Sequence, residues 1–133
     1  MQQDAITYEE LADPKWHGKI CIRSGQHAYN VDLIASMIAH HGGTWTEEWL
    51  KGVKANLARK PAGNDRQQVK GVYAGECDLA IGNTYYMGAM LTNTKDPEQK
   101  EVGEFSQDSL PQHERPRHPC ECLRRSACEI RAA

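Results

Sequence analysis

Two short apolar runs constrain this chain more than anything else in it. Ile20, Cys21 and Ile22 stand together after Gly18, and "CDLAIG" makes a second compact run from Cys77 to Gly82. A strand with one wet face alternates apolar and polar residues, whereas an unbroken run fits a strand covered on both faces, as parallel strands are. Parallel neighbours also need a long crossover connection, and the stretch between these runs is rich in helical patterns.

The helices can be placed from their caps and stripes. In "TYEELADPKW", Glu10 follows Thr7 at capping-box spacing, which predicts a short opening turn ended by Pro14. With Asn30 as cap, Leu33, Ile34, Met37, Ile38 and His41 share a face, and Gly42 and Gly43 stop that helix. Thr44 and Glu47 open a second helix, in which Trp45, Trp49, Val53 and Leu57 recur every four residues before Pro61. Asp65 caps a third, carrying Val69, Val72 and Tyr73 inward, with Gly75 at its exit. Strand, helices, strand and helix make an α/β lobe of buried parallel strands covered by helices.

The most distinctive chemistry lies at "GNTYYMGAM", residues 82–90. In a strand, Tyr85 and Tyr86 would point to opposite faces. On the first turn of a helix capped by Asn83 or Thr84, at the carboxyl end of the second strand, both phenols can lean over one cleft. Open α/β sheets bind ligands at that edge, and a helix start there offers free N–H groups to an anion. A phenol keeps its proton up to about pH 10, so a phenolate at neutral pH needs a strong cation; hard ferric iron with hard oxygen donors supplies one. The alternative for any one of these rings is ordinary packing. A net charge of −2 gives no reason to expect nucleic acid, and no apolar stretch approaches the length of a membrane helix.

The segments "TYEELADPKWHGKICIRSGQHAYN", "SMIAHHG" and "WLKGVKANLARKPAGNDRQQVKGVYAGECDLAIGNTYYMGAML" together resemble the periplasmic ferric-iron-binding proteins that serve ABC transporters, a branch of the type II periplasmic-binding-protein fold. The resemblance runs from about residue 7 to Glu101, with "RSG.H.YN", "KANLARKP.GNDR" and "GNTYY" as its specific parts. It implies that Fe3+ is held in an interlobe cleft by Tyr85, Tyr86 and the upstream Tyr29, which lies at another strand-to-helix corner. It also implies a small anion such as phosphate or carbonate beside the metal; the amides of Asn64 and Asn83 and the N–H groups of the Ser24 and Gly25 turn are its expected hosts, the alternative for each asparagine being a helix cap. By the same resemblance the intact protein is a monomer that docks on a membrane permease, works in the periplasm and is not an enzyme. The start "MQQDAITYEELADP" lacks the basic region and apolar run of a signal peptide. The alternatives are a truncated lobe acting as an interaction module, or a related binding protein for another small solute.

Composition changes after Glu101, where Pro, Arg, Cys and His accumulate and helical or strand periodicity fades. Residues 1–101 are therefore expected to form the partial lobe and 102–133 an irregular tail. Shifting the reading frame by one nucleotide at Val102 and Gly103 permits codons that continue the family's sequence, which predicts a frameshifted tail. His113, His118, Cys120, Cys122 and Cys128 have the residue types for zinc but not the paired spacing. Cys21 and Cys77, at or beside the two strands, are either buried thiols or, if those strands are neighbours, a disulfide. His27 is expected near the cleft or simply in a surface loop, and His40 and His41 at a helix end.

Overall fold

The computed structural model describes residues 6–109 and 128–131. Two 3-10 turns, Glu9–Ala12 and Pro14–Trp16, lead into β1 (Ile20–Cys21). Then come α1 (Ala28–His41), α2 (Gly43–Ala55), α3 (Asp65–Tyr73), β2 (Leu79–Gly82), α4 (Thr84–Leu91), α5 (Pro97–Ser109) and β3 (Cys128–Arg131). The sheet order is β1-β2-β3, with β1 and β2 parallel and β3 antiparallel to β2.

The register explains why both apolar runs are unbroken. Ile20 pairs with Leu79 and Cys21 with Ala80. Ile20, Leu79 and Ile81 pack with Leu11, Met37, Trp49 and Val53 on one side. Cys21 and Ala80 pack with Val72 and Cys77 on the other. Successive strand residues point to opposite faces, so two covered faces leave no polar position between them. Each fully buried aliphatic side chain contributes roughly 1.5–3 kcal/mol.

Buried polar groups join the layers. The Asn56 side chain donates to the carbonyls of Leu11 and Asp13 at 2.9 and 2.8 Å, while the Asn56 backbone carbonyl accepts from the N–H groups of Lys19 and Ile20. Trp49 Nε1 donates to the Tyr8 carbonyl at 2.8 Å. A Cβ on Gly52 would come within 2.7 Å of the Ala12 Cβ, so a glycine in α2 is what lets the opening turns lie against it. Cys21 and Cys77 are joined in a disulfide, with Cα atoms 5.8 Å apart, as the neighbouring strands allow.

Several caps differ from their sequence assignments. His27, not Asn30, caps α1, its Nδ1 accepting the Tyr29 N–H at 3.3 Å. Asn30 is buried and donates to the carbonyls of Arg23 and Ser24, a partner across the corner being better than a cap in solvent. Asn64, not Asp65, caps α3, in a full capping box with Gln67. Gly42, at φ 84°, both ends α1 and opens α2, so Thr44 is already helical and makes no cap. The second helix ends at Ala55, leaving Leu57 to bridge Ile20. Pro14 starts a turn capped by Asp13 rather than only ending one. Ile38, Trp45 and Tyr73, assigned to inner faces, are exposed.

The boundary drawn at residue 101 falls inside α5. Val102 is buried with Val69, Met87 and Met90, and Glu101 accepts the Tyr73 hydroxyl at 2.6 Å. Phe105 lies edge-on to Tyr73, so apolar contacts carry the helix through the change in composition. Cys128–Arg131, also expected to be irregular, pairs with β2. His113, His118, Cys120 and Cys122 lie outside the described residues.

Candidate metal centre

Both corners expected to carry phenols do so. Tyr29 lies in the first turn of α1, and Tyr85 and Tyr86 in the first turn of α4, directly beyond β2. Because β1 and β2 run parallel, their carboxyl ends open on the same side of the sheet, and the two helix starts come together there. The Tyr85 hydroxyl donates to the Tyr29 hydroxyl at 2.5 Å. Their rings meet edge to face with centroids 6.3 Å apart, and the Tyr85 and Tyr86 rings are 4.5 Å apart.

The three phenols are not equivalent. Removal from water, and then its hydrogen bonds to Tyr29 and Tyr86, push the Tyr85 pKa well above the ordinary phenol value. Tyr86 is shifted downward, first by hydrogen bonding with Tyr85 and then with Tyr29, with a further contribution from Arg23. The Arg23 guanidinium lies 5.5 Å from the Tyr29 ring centroid, and that of Arg66 5.6 Å from the Tyr86 centroid.

Of the residues expected to host an anion, Asn83 is the one with a contact to this cluster among the described residues. Asn83 Nδ2 donates to the Tyr85 hydroxyl at 3.4 Å. The Asn64 carbonyl oxygen is engaged as the α3 cap. Ser24 Oγ accepts the Gln26 N–H, and Gly25 follows in the same turn. His27 meets the Tyr29 ring at 4.5 Å besides capping α1. His41, by contrast, pairs with Glu9 at 2.8 Å and stacks on Trp45, away from this edge.

A cavity of about 640 Å³ lies between α1, α2 and the strand ends, lined by Ile22, Leu33, Ile34, Trp49, Val53 and Ile81 among others. Its lining is mostly apolar, its charged residues Arg23, Lys54, Arg59 and Lys60 are all cationic, and none of the tyrosines lines it, so it offers a metal no anionic donor. Among the described residues no group of three His, Cys, Asp or Glu side chains could hold a metal ion. The phenol oxygens are therefore the hard donors that the described residues gather. Sequence reading missed Arg23, Asp65 and Arg66 as parts of this edge, although "RSG" and "GNDR" place them beside residues it did select.

No protein-family model matches the chain. It is 48% identical over 102 residues to iron uptake protein A1 of Synechocystis sp., covering 77% of this chain and 28% of that protein. Among solved structures, a Bordetella ferric binding protein superposes with a TM-score of 0.73 at 50% identity, over 78% of this chain and 33% of the other. The Trichodesmium IdiA (FutA) protein in complex with iron and citrate gives 0.74 at 44% identity, with the same coverage. The chain thus spans less than a third of the curated relative's length. Over three quarters of its residues the chain is similar in sequence and fold to ferric-iron-binding proteins, and it corresponds to part of one lobe of a type II periplasmic-binding fold.

Proposed function

We propose that Tyr29, Tyr85 and Tyr86 bind Fe3+ through their phenolate oxygens, as part of the solute-binding component of a ferric-iron ABC transporter. The observation that carries this reading is the convergence of three phenols from two helix starts on one sheet edge. Ferric iron is a hard trivalent cation that lowers the pKa of its ligands, so it displaces the phenol protons that water alone leaves in place.

Three oxygens from one side leave other positions of a six-coordinate ion open. Those positions go to an anion beside Ser24, Gly25, Asn64 and Asn83, and to groups from an opposing lobe. Phosphate and carbonate fit the amide and N–H donors of that edge; the Trichodesmium relative was solved with citrate. The ion is cargo, with no covalent step, and delivery to a permease follows hinge closure of two lobes in the periplasm. The Cys21–Cys77 disulfide supports an oxidising compartment.

Titration of the full chain with ferric citrate tests the reading. A visible absorption band from phenolate-to-iron charge transfer is expected, saturating at one ion per chain. Absence of that band, with the chain folded, overturns it. A second reading, a lobe acting as an interaction module, draws on the exposed apolar cavity beside α1 and α2. It predicts a folded chain that shows no band and no heat on addition of ferric citrate.

A further inference from the structure

Asp65 stands where three elements meet, and both of its oxygens are used. Oδ1 accepts from Arg23 Nη1 at 2.7 Å, and Oδ2 accepts the Asn83 N–H at 2.9 Å. The side chain is 2% exposed and that of Arg23 13%, so this is a partly buried, charge-assisted pair rather than a surface one. Arg23 directly follows Ile22 at the end of the first strand segment. Its carbonyl is gripped by Asn30 of α1, one residue beyond Tyr29. Asn83 is the N-cap residue of α4, whose own side chain makes no cap bond. Asp65 therefore supplies from outside a fixed point at the start of the helix that carries Tyr85 and Tyr86.

The guanidinium that Asp65 holds faces the phenols. It lies against the Tyr29 ring, 5.5 Å from its centroid. A planar guanidinium can bond a carboxylate and lie over an aromatic ring at once, which a point-charge ammonium cannot do with the same geometry. We propose that Asp65 is a positioning residue for the phenol site: by holding Arg23 and the Asn83 N–H at once, it fixes the Tyr29 corner against the Tyr85 and Tyr86 corner. Its consequence for iron rests on the ferric reading above; its consequence for the phenol geometry does not.

The experiment compares the full chain with Asp65→Ala, Asp65→Asn and Arg23→Lys. Ring-to-ring NMR contacts between Tyr29 and Tyr85 are read without metal, and the visible band and affinity are read with ferric citrate. Asp65→Ala is expected to keep its far-ultraviolet circular dichroism, lose the Tyr29 to Tyr85 contact, shift the band and weaken iron binding by roughly 10–100-fold, the range for groups that orient metal ligands. Asp65→Asn, which keeps an acceptor for the Asn83 N–H, falls between Asp65→Ala and the parent. An unchanged ring contact and band in a folded Asp65→Ala chain overturns the proposal. Should the Asp65 variants unfold, Arg23→Lys decides in the same way: loss of the ring contact supports it, and an unaltered contact overturns it. Failure of the parent chain to give a band removes the ferric reading alone, because the metal-free ring contacts still test Asp65.

Discussion

The hydroxyl of Tyr85 reaches that of Tyr29 at 2.5 Å, although 56 residues separate them in the chain. One ring stands on the helix after the first strand and the other on the helix after the second, so the contact reports that the two strands are parallel neighbours. Removing either hydroxyl should therefore affect a shared site. Tyr29→Phe and Tyr85→Phe are each expected to weaken ferric binding by about 100-fold, or ~2.8 kcal/mol. Their double variant should fall short of the summed loss, since the residues touch. Competition against citrate measures this, and wild-type affinity in either single variant would refute a ligand role for that phenol.

Iron uptake by this edge should depend on pH. Each phenol that ligates must lose its proton, so affinity rises with pH, by up to about tenfold per pH unit for each phenol displaced. Tyr86 is shifted downward by its neighbours' hydrogen bonds and Tyr85 upward chiefly by burial. For folding without metal, the signs differ. Tyr86's contribution is present above its unfolded pKa and lost as pH falls through the lowered folded value. Tyr85's is present below the unfolded pKa and lost as pH rises through the raised folded one. Binding isotherms across neutral pH check the first statement, and a flat profile contradicts it.

Reducing Cys21–Cys77 should destabilise the chain by about 4 kcal/mol, the chain-entropy value for a loop of this span. Urea melts with and without reductant read this directly. Coincident midpoints would show that packing alone holds β1 against the turn before β2.

Gly71→Ala offers a local probe of the same region. Its Cβ would meet Cys21 Sγ at 3.2 Å, and Cys77 Sγ and Arg59 Nη2 at 3.3 Å. Overpacking of this kind should cost about 1–3 kcal/mol. A thermal melt at the wild-type midpoint would mean that the disulfide or Arg59 gives way at little cost.

What could be read from residues alone followed how local the physics was. The unbroken apolar runs announced Ile20–Cys21 and Leu79–Gly82 as buried strands, since two covered faces leave their mark on every strand position, but not that the two are neighbours. The tyrosine corner was legible because only a helix start puts adjacent phenols on one side. Caps were less so: Asn30 and Asp65 have the side chains of N-caps, but each found a buried partner in Arg23, some 7 or 42 residues away, which no local pattern encodes. The composition break after Glu101 was real, yet composition is an average. Val102, fully buried against Val69, Met87 and Met90, helps seat α5 across it.

The Cys21–Cys77 bond closes a covalent ring through α1, α2 and α3. A protease that cuts the backbone once between residues 22 and 76 therefore releases no product: both pieces migrate as one species until reductant is added. Tyr29 belongs to one or other piece depending on the cut, but in either case it stays chained to Tyr85 and Tyr86.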